Sequence, residues 1–186
     1  MADVKGKLRQ KHCNIVLAGF MGTGKSTVGR IIAERLGWRL VDTDTIIEAR
    51  AGKIIADIFA QDGEPAFRAL EAVVCTDMAA LCHQVIAVGG GALINPAVQA
   101  TFEAHDLVVC LTCDLDVIIQ RVGDDPTRPL FSVDREKLST LLESRAAHYA
   151  SLPHHVDTTE LSPEAAAEEI IQLWKKMHQQ RHQPNN

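Results

Sequence analysis

Gly19-Phe20-Met21-Gly22-Thr23-Gly24-Lys25-Ser26 is the stretch of this chain that decides its fold. It follows the apolar run Ile15–Ala18 and leads into the helical segment 27–36. A strand, a glycine-rich turn and a helix with the spacing G-x-x-x-x-G-K-[S/T] are typical of a phosphate-binding loop. Its backbone N–H groups point inward, and the helix start adds the positive end of its dipole. The stretch predicts a site for a nucleoside triphosphate, bound by Gly22, Thr23, Gly24, Lys25, Ser26 and Thr27.

Two aspartates after the second predicted strand, residues 38–41, extend this site. A nucleotide site needs a carboxylate near a strand end to help hold Mg2+, beside the loop's Ser26 hydroxyl. Asp42 fits that place, whereas Asp114 follows another strand but begins a helix and is explained as its N-cap. We expect the chain to stay extended here, with Asp42 turned to the metal and Asp44 turned to the substrate. A simple capping turn is the alternative for residues 42–44.

Composition restricts the class of protein. A chain of 186 residues suits one domain, and 46% hydrophobic with 23% charged residues is ordinary for a globular protein. A net charge of −5 argues against a nucleic-acid-binding surface and favours an enzyme acting on small molecules. We therefore expect neither nucleic acid nor a membrane as a partner, and we expect a monomer.

The five cysteines and the first residues bear on the compartment. An odd number of cysteines in a chain of this length suits a reducing environment. Cys110 and Cys113 have C-x-x-C spacing but lie in the predicted strand 107–113, where they should face opposite sides and not share a metal. The polar start has no signal-peptide core, and no apolar run approaches the ~20 residues of a membrane span. The sequence therefore predicts a cytoplasmic protein.

Strand and helix patterns alternate along the whole chain. Apolar runs at 14–18, 38–41, 85–88 and 107–113 read as strands, 154–157 reads as a short fifth strand, and helical segments separate them. Continuous apolar runs indicate a parallel sheet buried on both faces, so we predict a three-layer α/β fold in a single domain, 1–186. Residues 1–12 form a polar leader, about 124–134 a lid rich in helix breakers, and 179–186 a polar tail. A turn is expected at 62–64, before a helix that begins near Pro65.

With these residues assembled, the chain resembles the shikimate kinases over about residues 13–175. The resemblance is carried by the loop and helix 19–30, Asp-Thr-Asp at 42–44, Gly63-Glu64 with Phe67, Arg68 and Glu71, the triple glycine 89–91, Gln120-Arg121-Val122, Thr127-Arg128-Pro129-Leu130, and Arg145 with Tyr149. It implies a P-loop nucleoside-monophosphate-kinase-like fold with a five-stranded parallel sheet in the order 2-3-1-4-5. It also implies ATP-dependent phosphorylation of the 3-hydroxyl of shikimate, a step toward chorismate and the aromatic amino acids.

The resemblance also implies roles for particular residues. Asp44, Arg68, Gly90, Gly91 and Arg145 match the positions that contact shikimate, Arg121 matches the arginine beside adenine, and Arg128 matches a lid arginine. The chain departs from the family in having Ala147 where proline is common, and in the stretch 151–153. ATP as co-substrate, Mg2+ and shikimate are the implied small molecules.

The chemistry of these residue types agrees with that expectation. A carboxylated acceptor calls for the planar, permanently charged fork of arginine, which Arg68 and Arg145 supply. Gly89 belongs to the triple glycine at the end of a strand, where backbone can approach a ligand closely. Phosphoryl transfer has a loose transition state, so we expect Asp44 to orient the hydroxyl and accept its proton late in the reaction. Lys25, Mg2+ and Arg128 would neutralise charge on the transferred group.

Three other functions stay open from the sequence. A gluconate or nucleoside monophosphate kinase would share the fold and the loop. A GTPase-type switch would need a guanine-reading N-K-x-D motif, which the sequence after the loop does not contain. A nucleotide-binding module without catalysis would not need Lys25, Ser26, Asp42 and Asp44 together.

Overall fold

Residues 13–123 and 135–179 are described by the computed structural model. Its strands are β1 (Ile15–Gly19), β2 (Arg39–Asp42), β3 (Gln84–Ala87), β4 (Leu107–Thr112) and β5 (His155–Asp157). Its α-helices are α1 (Lys25–Leu36), α2 (Thr43–Ala51), α3 (Ile55–Gln61), α4 (Gly63–Ala79), α5 (Pro96–Glu103), α6 (Leu115–Gly123), α7 (Arg135–Ser151) and α8 (Pro163–Gln179). The predicted leader, the lid with Arg128 and the end of the tail lie outside these residues.

The five strands form one parallel sheet in the order β2-β3-β1-β4-β5, which confirms the predicted order. β1 lies at the centre, where Ile15 is the register partner of Val85 on β3 and of Leu107 on β4. All five residues of β1 are buried, as a continuous apolar run predicts for a strand covered on both faces.

Alternate residues of β1 belong to two different cores. Val16 and Ala18 pack in a cluster with residues of α4, α5, α6 and α7, whereas Ile15 and Leu17 pack with residues of α1 and α8. Since successive side chains of a strand point to opposite faces, the two clusters lie on opposite sides of the sheet. The fold therefore has the predicted three layers, helices–sheet–helices.

Two local predictions differ from the structure. Asp44 does not lie in extended chain, because α2 begins at Thr43, directly after the strand, and the Asp42 side chain caps it by accepting from the Asp44 N–H at 3.1 Å. The turn between α3 and α4 is present but shorter than the predicted 62–64. Gly63 has a φ of 83°, so the chain reverses there and α4 begins at once behind α3.

The cysteines also differ from expectation. β4 ends at Thr112, so Cys113 lies beyond the strand, and it packs against the same core cluster as Cys110 instead of facing away from it. Cys13, just before β1, and Cys82, just before β3, form a disulfide. That contact joins segments 69 residues apart, and the cysteine count alone could not predict it.

We expect Cys82→Ser to destabilise the fold by about 4 kcal/mol, because the disulfide closes a loop of 69 residues in the unfolded chain. For a chain of this size the melting temperature should fall on the order of 10 °C. Thermal melts with and without dithiothreitol test this, since reductant should lower the wild-type value to that of the variant and leave the variant unchanged. A wild-type melt indifferent to reductant would contradict the prediction.

Among residues 13–123 and 135–179, no helix has both the length and the apolar character needed to cross a membrane.

Candidate active site

The phosphate loop connects the central strand to α1 through residues with unusual backbone geometry. Gly19 has a φ of 129°, and a Cβ on it would lie 2.3 Å from the Leu111 carbonyl oxygen of β4. Thr23 is 1% exposed, and its hydroxyl donates to the Phe20 carbonyl at 2.8 Å, which closes the loop on itself. The Thr23 side chain therefore shapes the loop and is directed to the loop's own backbone.

The charged and hydroxyl side chains of the loop lie at its mouth. The Lys25 ammonium donates to the carbonyl oxygens of Gly19 and Phe20 at 2.8 and 2.9 Å. Ser26 and Thr27, in the first turn of α1, are exposed. A mobile cation beside a helix N-terminus is the arrangement that binds phosphate oxygens.

Ser26 and Asp42 form a pair of oxygen ligands beside the loop. The Ser26 hydroxyl donates to Asp42 Oδ2 at 3.2 Å, while Asp42 Oδ1 accepts the backbone N–H that caps α2. Capping of α2 therefore does not preclude metal binding by Asp42, because the cap uses Oδ1 and the Oδ2 atom faces Ser26. Hard oxygen atoms of this kind are the ligands that Mg2+ prefers, with phosphate and water oxygens completing its shell.

A cavity of about 440 Å³ joins the loop to the carboxyl ends of the strands. Its wall includes most of the residues predicted from sequence: Gly22, Gly24, Lys25, Ser26, Thr27, Asp42, Asp44, Gly89, Gly90, Arg121 and Arg145. Thr23, Arg68 and Gly91 are not among the residues that line it, and Arg128 lies outside the described residues. The strand ends, where an open parallel sheet places its ligands, therefore bring together residues up to 123 positions apart, from Gly22 to Arg145.

Each glycine of the triplet 89–91 faces one predicted acceptor residue. A Cβ on Gly89 would lie 2.7 Å from Asp44 Oδ1, and one on Gly90 would lie 3.1 Å from Arg145 Nη1. A Cβ on Gly91 would lie 3.0 Å from Arg68 Nη1. Any larger residue would displace one of these three side chains, so the absence of Cβ atoms is what allows the three groups to close around one backbone turn.

Glu71 is a site residue that the sequence analysis quoted only as a family match. It is 3% exposed, and it accepts from Arg68 Nη1 at 2.8 Å while Arg68 Nε reaches Glu64 at 3.2 Å. Burial raises the pKa of the Glu71 carboxyl, against the opposing effect of Arg68. Burial also acts to lower the pKa of Arg68, but the hydrogen bonds and charges of Glu71 and Glu64 together outweigh it and raise that pKa. In the sequence, the i, i+3 spacing of Arg68 and Glu71 on one helix was the signal that could have predicted their contact.

Tyr149 is the second such residue. Its side chain is largely buried, with 7% exposure, and its hydroxyl donates to the Gly90 carbonyl at 2.6 Å. Burial raises the pKa of the Tyr149 phenol, so the hydroxyl keeps its proton for that hydrogen bond. Tyr149 lies four residues after Arg145 on α7, so one face of this helix supplies both contacts to the triple glycine.

Arg121 lies at the other end of the cavity, on α6. Its guanidinium donates to the Thr158 carbonyl at 2.7 Å and contacts the Thr158 hydroxyl at 3.3 Å and the Cys113 sulfur at 3.4 Å. These contacts hold the arginine against the ends of β4 and β5, on the opposite side of the phosphate loop from the triple glycine.

Comparisons with known proteins agree with this geometry. The family model described as shikimate kinase matches residues 21–175. The shikimate kinase of Thermobifida fusca is 48% identical over 157 residues, 83% of this chain and 91% of its own. The solved structure of Acinetobacter baumannii shikimate kinase in complex with shikimate superposes with a TM-score of 0.81 at 33% identity, covering 94% of this chain and 97% of its own. A Sinorhizobium meliloti gluconokinase, at 21% identity and a TM-score of 0.59 over 94% of this chain and all of its own, shares the fold.

Proposed function

The chain belongs to the shikimate kinase family, and from that premise we propose how its residues divide the work of the reaction. The activity is ATP-dependent phosphorylation of the 3-hydroxyl of shikimate, which gives shikimate 3-phosphate and ADP in aromatic amino acid biosynthesis. The observation that carries the proposal is the triple glycine, around which Asp44, Arg145 and Arg68 converge beside the phosphate loop.

The donor side consists of the loop and Arg121. Gly22, Thr23 and Gly24 would donate backbone N–H groups to the phosphates, and Thr27 at the start of α1 would add further donors. Lys25 would supply a positive charge on a flexible side chain. Lys25 bonds two loop carbonyls, so its ammonium already lies at the mouth of the cradle. Arg121 would lie beside adenine.

Ser26 and Asp42 would hold Mg2+. The fit rests on their donor atoms, a hydroxyl and a carboxylate oxygen 3.2 Å apart at the edge of the cradle. Within residues 13–123 and 135–179 no cluster of three His, Cys, Asp or Glu side chains could hold a metal, which suits an ion that takes its other ligands from phosphate and water. The bound ion would supply compensation for phosphate charge.

The acceptor side consists of Asp44, Arg68, Arg145 and the triple glycine. Two guanidinium groups that meet the same glycine turn from different helices, α4 and α7, can bind one carboxylate by charge-assisted hydrogen bonds. Glu71 and Tyr149 support them, since the first holds Arg68 and the second holds Gly90. Asp44, across from Gly89, is then the carboxylate nearest the acceptor hydroxyl.

In the reaction, the 3-hydroxyl oxygen of shikimate forms a bond to the γ-phosphorus as the bond to the ADP oxygen breaks. Asp44 orients the hydroxyl and accepts its proton late, when the transferred group has little bonding to either oxygen. The Lys25 ammonium stabilises the negative charge that develops on the phosphoryl oxygens. Arg128 as a lid arginine stays a prediction, as do a monomeric state and a cytoplasmic location.

A coupled assay of ADP release tests the function directly. Shikimate should stimulate ADP release strongly, whereas gluconate and nucleoside monophosphates should not, because neither combines a carboxylate with a rigid ring triol. Stimulation by gluconate alone would favour the other kinase class. No stimulation by any acceptor, together with intact ADP binding, would favour a non-catalytic module.

We expect Gly89→Ala to lower the turnover number on the order of a hundredfold, because misplacing a catalytic group by about 1 Å costs that much. The new methyl would lie 2.7 Å from Asp44 Oδ1 and 3.1 Å from Glu71 Oε1, so both carboxylates must move. Steady-state kinetics and a thermal melt measure the effect. Gly123→Ala is the matched control, since a Cβ there meets nothing within 4 Å. Equal turnover in both variants would remove Asp44 from the role given to it.

A further inference from the structure

Thr158 is a buried polar residue that the mechanism above does not use. It directly follows β5 and is 3% exposed. Its backbone N–H donates to the Thr112 carbonyl at 2.9 Å, which extends the pairing of β5 with β4 by one residue. The backbone N–H of Thr158 therefore makes the hydrogen bond between β5 and β4 without help from the side chain, whose hydroxyl can contact other groups.

The Thr158 hydroxyl contacts the phosphate loop. Its Oγ1 lies 3.0 Å from the Thr23 carbonyl oxygen and 3.0 Å from the Thr112 carbonyl oxygen, so its one proton is shared between the two. Thr23 lies between Gly22 and Gly24, whose φ angles are 78° and 93°. A peptide flanked by two left-handed residues has little conformational preference of its own, so an external hydrogen bond to its carbonyl matters for its orientation.

The same residue contacts Arg121, the arginine proposed to lie beside adenine. The Thr158 carbonyl accepts from Arg121 Nη2 at 2.7 Å, and its Oγ1 accepts from Nη1 at 3.3 Å. One threonine at the end of an edge strand thus bonds both to the phosphate-binding backbone and to the guanidinium at the far end of the cavity. Its removal would loosen both with respect to the sheet.

We propose that Thr158 is a positioning residue of the nucleotide site, which fixes the distance between the phosphate loop and Arg121. The inference rests on the proposed place of Arg121 beside adenine. A nucleotide touches both ends, with its phosphates in the loop and its base near the arginine, so its affinity depends on that span. A ligand that occupies the loop alone does not depend on the span.

A purely structural role is the competing explanation, since buried threonines at strand ends commonly satisfy local carbonyls. It predicts lower thermal stability with unchanged nucleotide affinity at temperatures well below the melt. The positioning role predicts a selective loss of nucleotide affinity. Measuring both the nucleotide affinity and the melting temperature therefore separates the two explanations.

The test compares Thr158→Val, which keeps the shape and removes the hydroxyl, with Thr158→Ser, which keeps the hydroxyl. We expect valine to weaken ADP binding and raise the KM for ATP by roughly fivefold to tenfold, the loss of one or two net hydrogen bonds. The KM for shikimate should stay within about twofold, and serine should restore ATP affinity. Thr159→Val is the matched control, because its hydroxyl bonds Asp157 and the Asp114 N–H but neither the loop nor Arg121.

Inorganic tripolyphosphate provides the second readout, because it fills the phosphate loop without reaching Arg121. In Thr158→Val its affinity should fall by less than that of ADP, measured for both by calorimetry. Equal losses for the two ligands, unchanged ADP affinity with a lowered melting temperature, or the same loss in Thr159→Val would each overturn the proposal. If the valine variant does not fold, Thr158→Ala replaces it with the same expected split.

The binding measurements stand apart from the proposed function. ADP and tripolyphosphate affinities need no acceptor, so failure of the wild-type protein to phosphorylate shikimate would overturn the function and leave this test intact. Conversely, full shikimate kinase activity with unchanged ADP affinity in Thr158→Val would overturn the inference alone.

Discussion

Replacing Asp44 by asparagine is expected to lower the turnover number by about two to four orders of magnitude, the usual contribution of a positioned proton acceptor. The amide has nearly the same shape as the carboxylate, so Asp44→Asn keeps the packing against Gly89 and loses the capacity to accept the proton. ADP affinity should stay unchanged, because the phosphates bind through Lys25 and the loop backbone.

The measurement is steady-state turnover with shikimate, combined with calorimetry of ADP binding. Asp57→Asn on α3 removes the same charge from an exposed position and should behave as the wild type. Near-normal turnover in Asp44→Asn would contradict the assignment of Asp44 as proton acceptor. A loss of ADP affinity equal to the loss of turnover would show instead that Asp44 supports the donor site.

The second large effect is expected for Lys25→Met, which keeps the length of the side chain and removes its charge. The ammonium lies 2.8 and 2.9 Å from two carbonyl oxygens of the loop, where it can follow the charge that develops on the transferred group. Removing a single charged donor of this kind typically costs roughly a hundredfold to a thousandfold in turnover. In contrast to Asp44→Asn, we also expect weaker binding of ATP and ADP, because the charge contacts the nucleotide before the reaction as well.

Lys53→Met is the matched control, since Lys53 pairs with Asp62 on the protein surface at 2.8 Å. Kinetics with both substrates, ADP calorimetry and a thermal melt together measure the effect. The two variants are best compared directly: Asp44→Asn should change turnover alone, and Lys25→Met should change turnover and nucleotide affinity. Identical profiles for the two would contradict the division into a donor and an acceptor side.

The phosphate loop could be predicted because its signal is local, whereas the order of the strands was implied only by the family resemblance. The loop motif occupies eight consecutive residues, and the apolar runs of the central strands predict a buried parallel sheet without giving the order of its strands. The proximity of Ser26 and Asp42, the proposed Mg2+ ligands, was also predictable, since Ser26 belongs to the motif and Asp42 ends a strand beside it. For Asp44 the predicted location was reached by wrong reasoning, because the first turn of α2, and not an extended chain, directs it into the cavity.

The remaining features depend on contacts between distant segments, for which a single sequence carries no signal. That each glycine of 89–91 faces a different acceptor residue follows from the packing of α2, α4 and α7 around one turn. The burial of Glu71 and the bonds of Thr158 to Thr23 and Arg121 likewise appear only when the strands are in register. The Cys13–Cys82 disulfide joins two segments that nothing in the cysteine count connects.

On the roles proposed above, the central position of β1 separates most of the residues for one substrate from those for the other. β3 and β4 flank it, so the chain segments that return on one side contribute Asp44, Arg68 and the triple glycine, and those on the other contribute Arg121 and Thr158. Exchanging the segment between β2 and the triple glycine would therefore give the enzyme a different acceptor while its nucleotide half stays intact. Arg145 belongs to α7, beyond that segment, and reaches Gly90 from the nucleotide half of the chain. The acceptor of such an exchanged enzyme would still need a negatively charged group to bind Arg145.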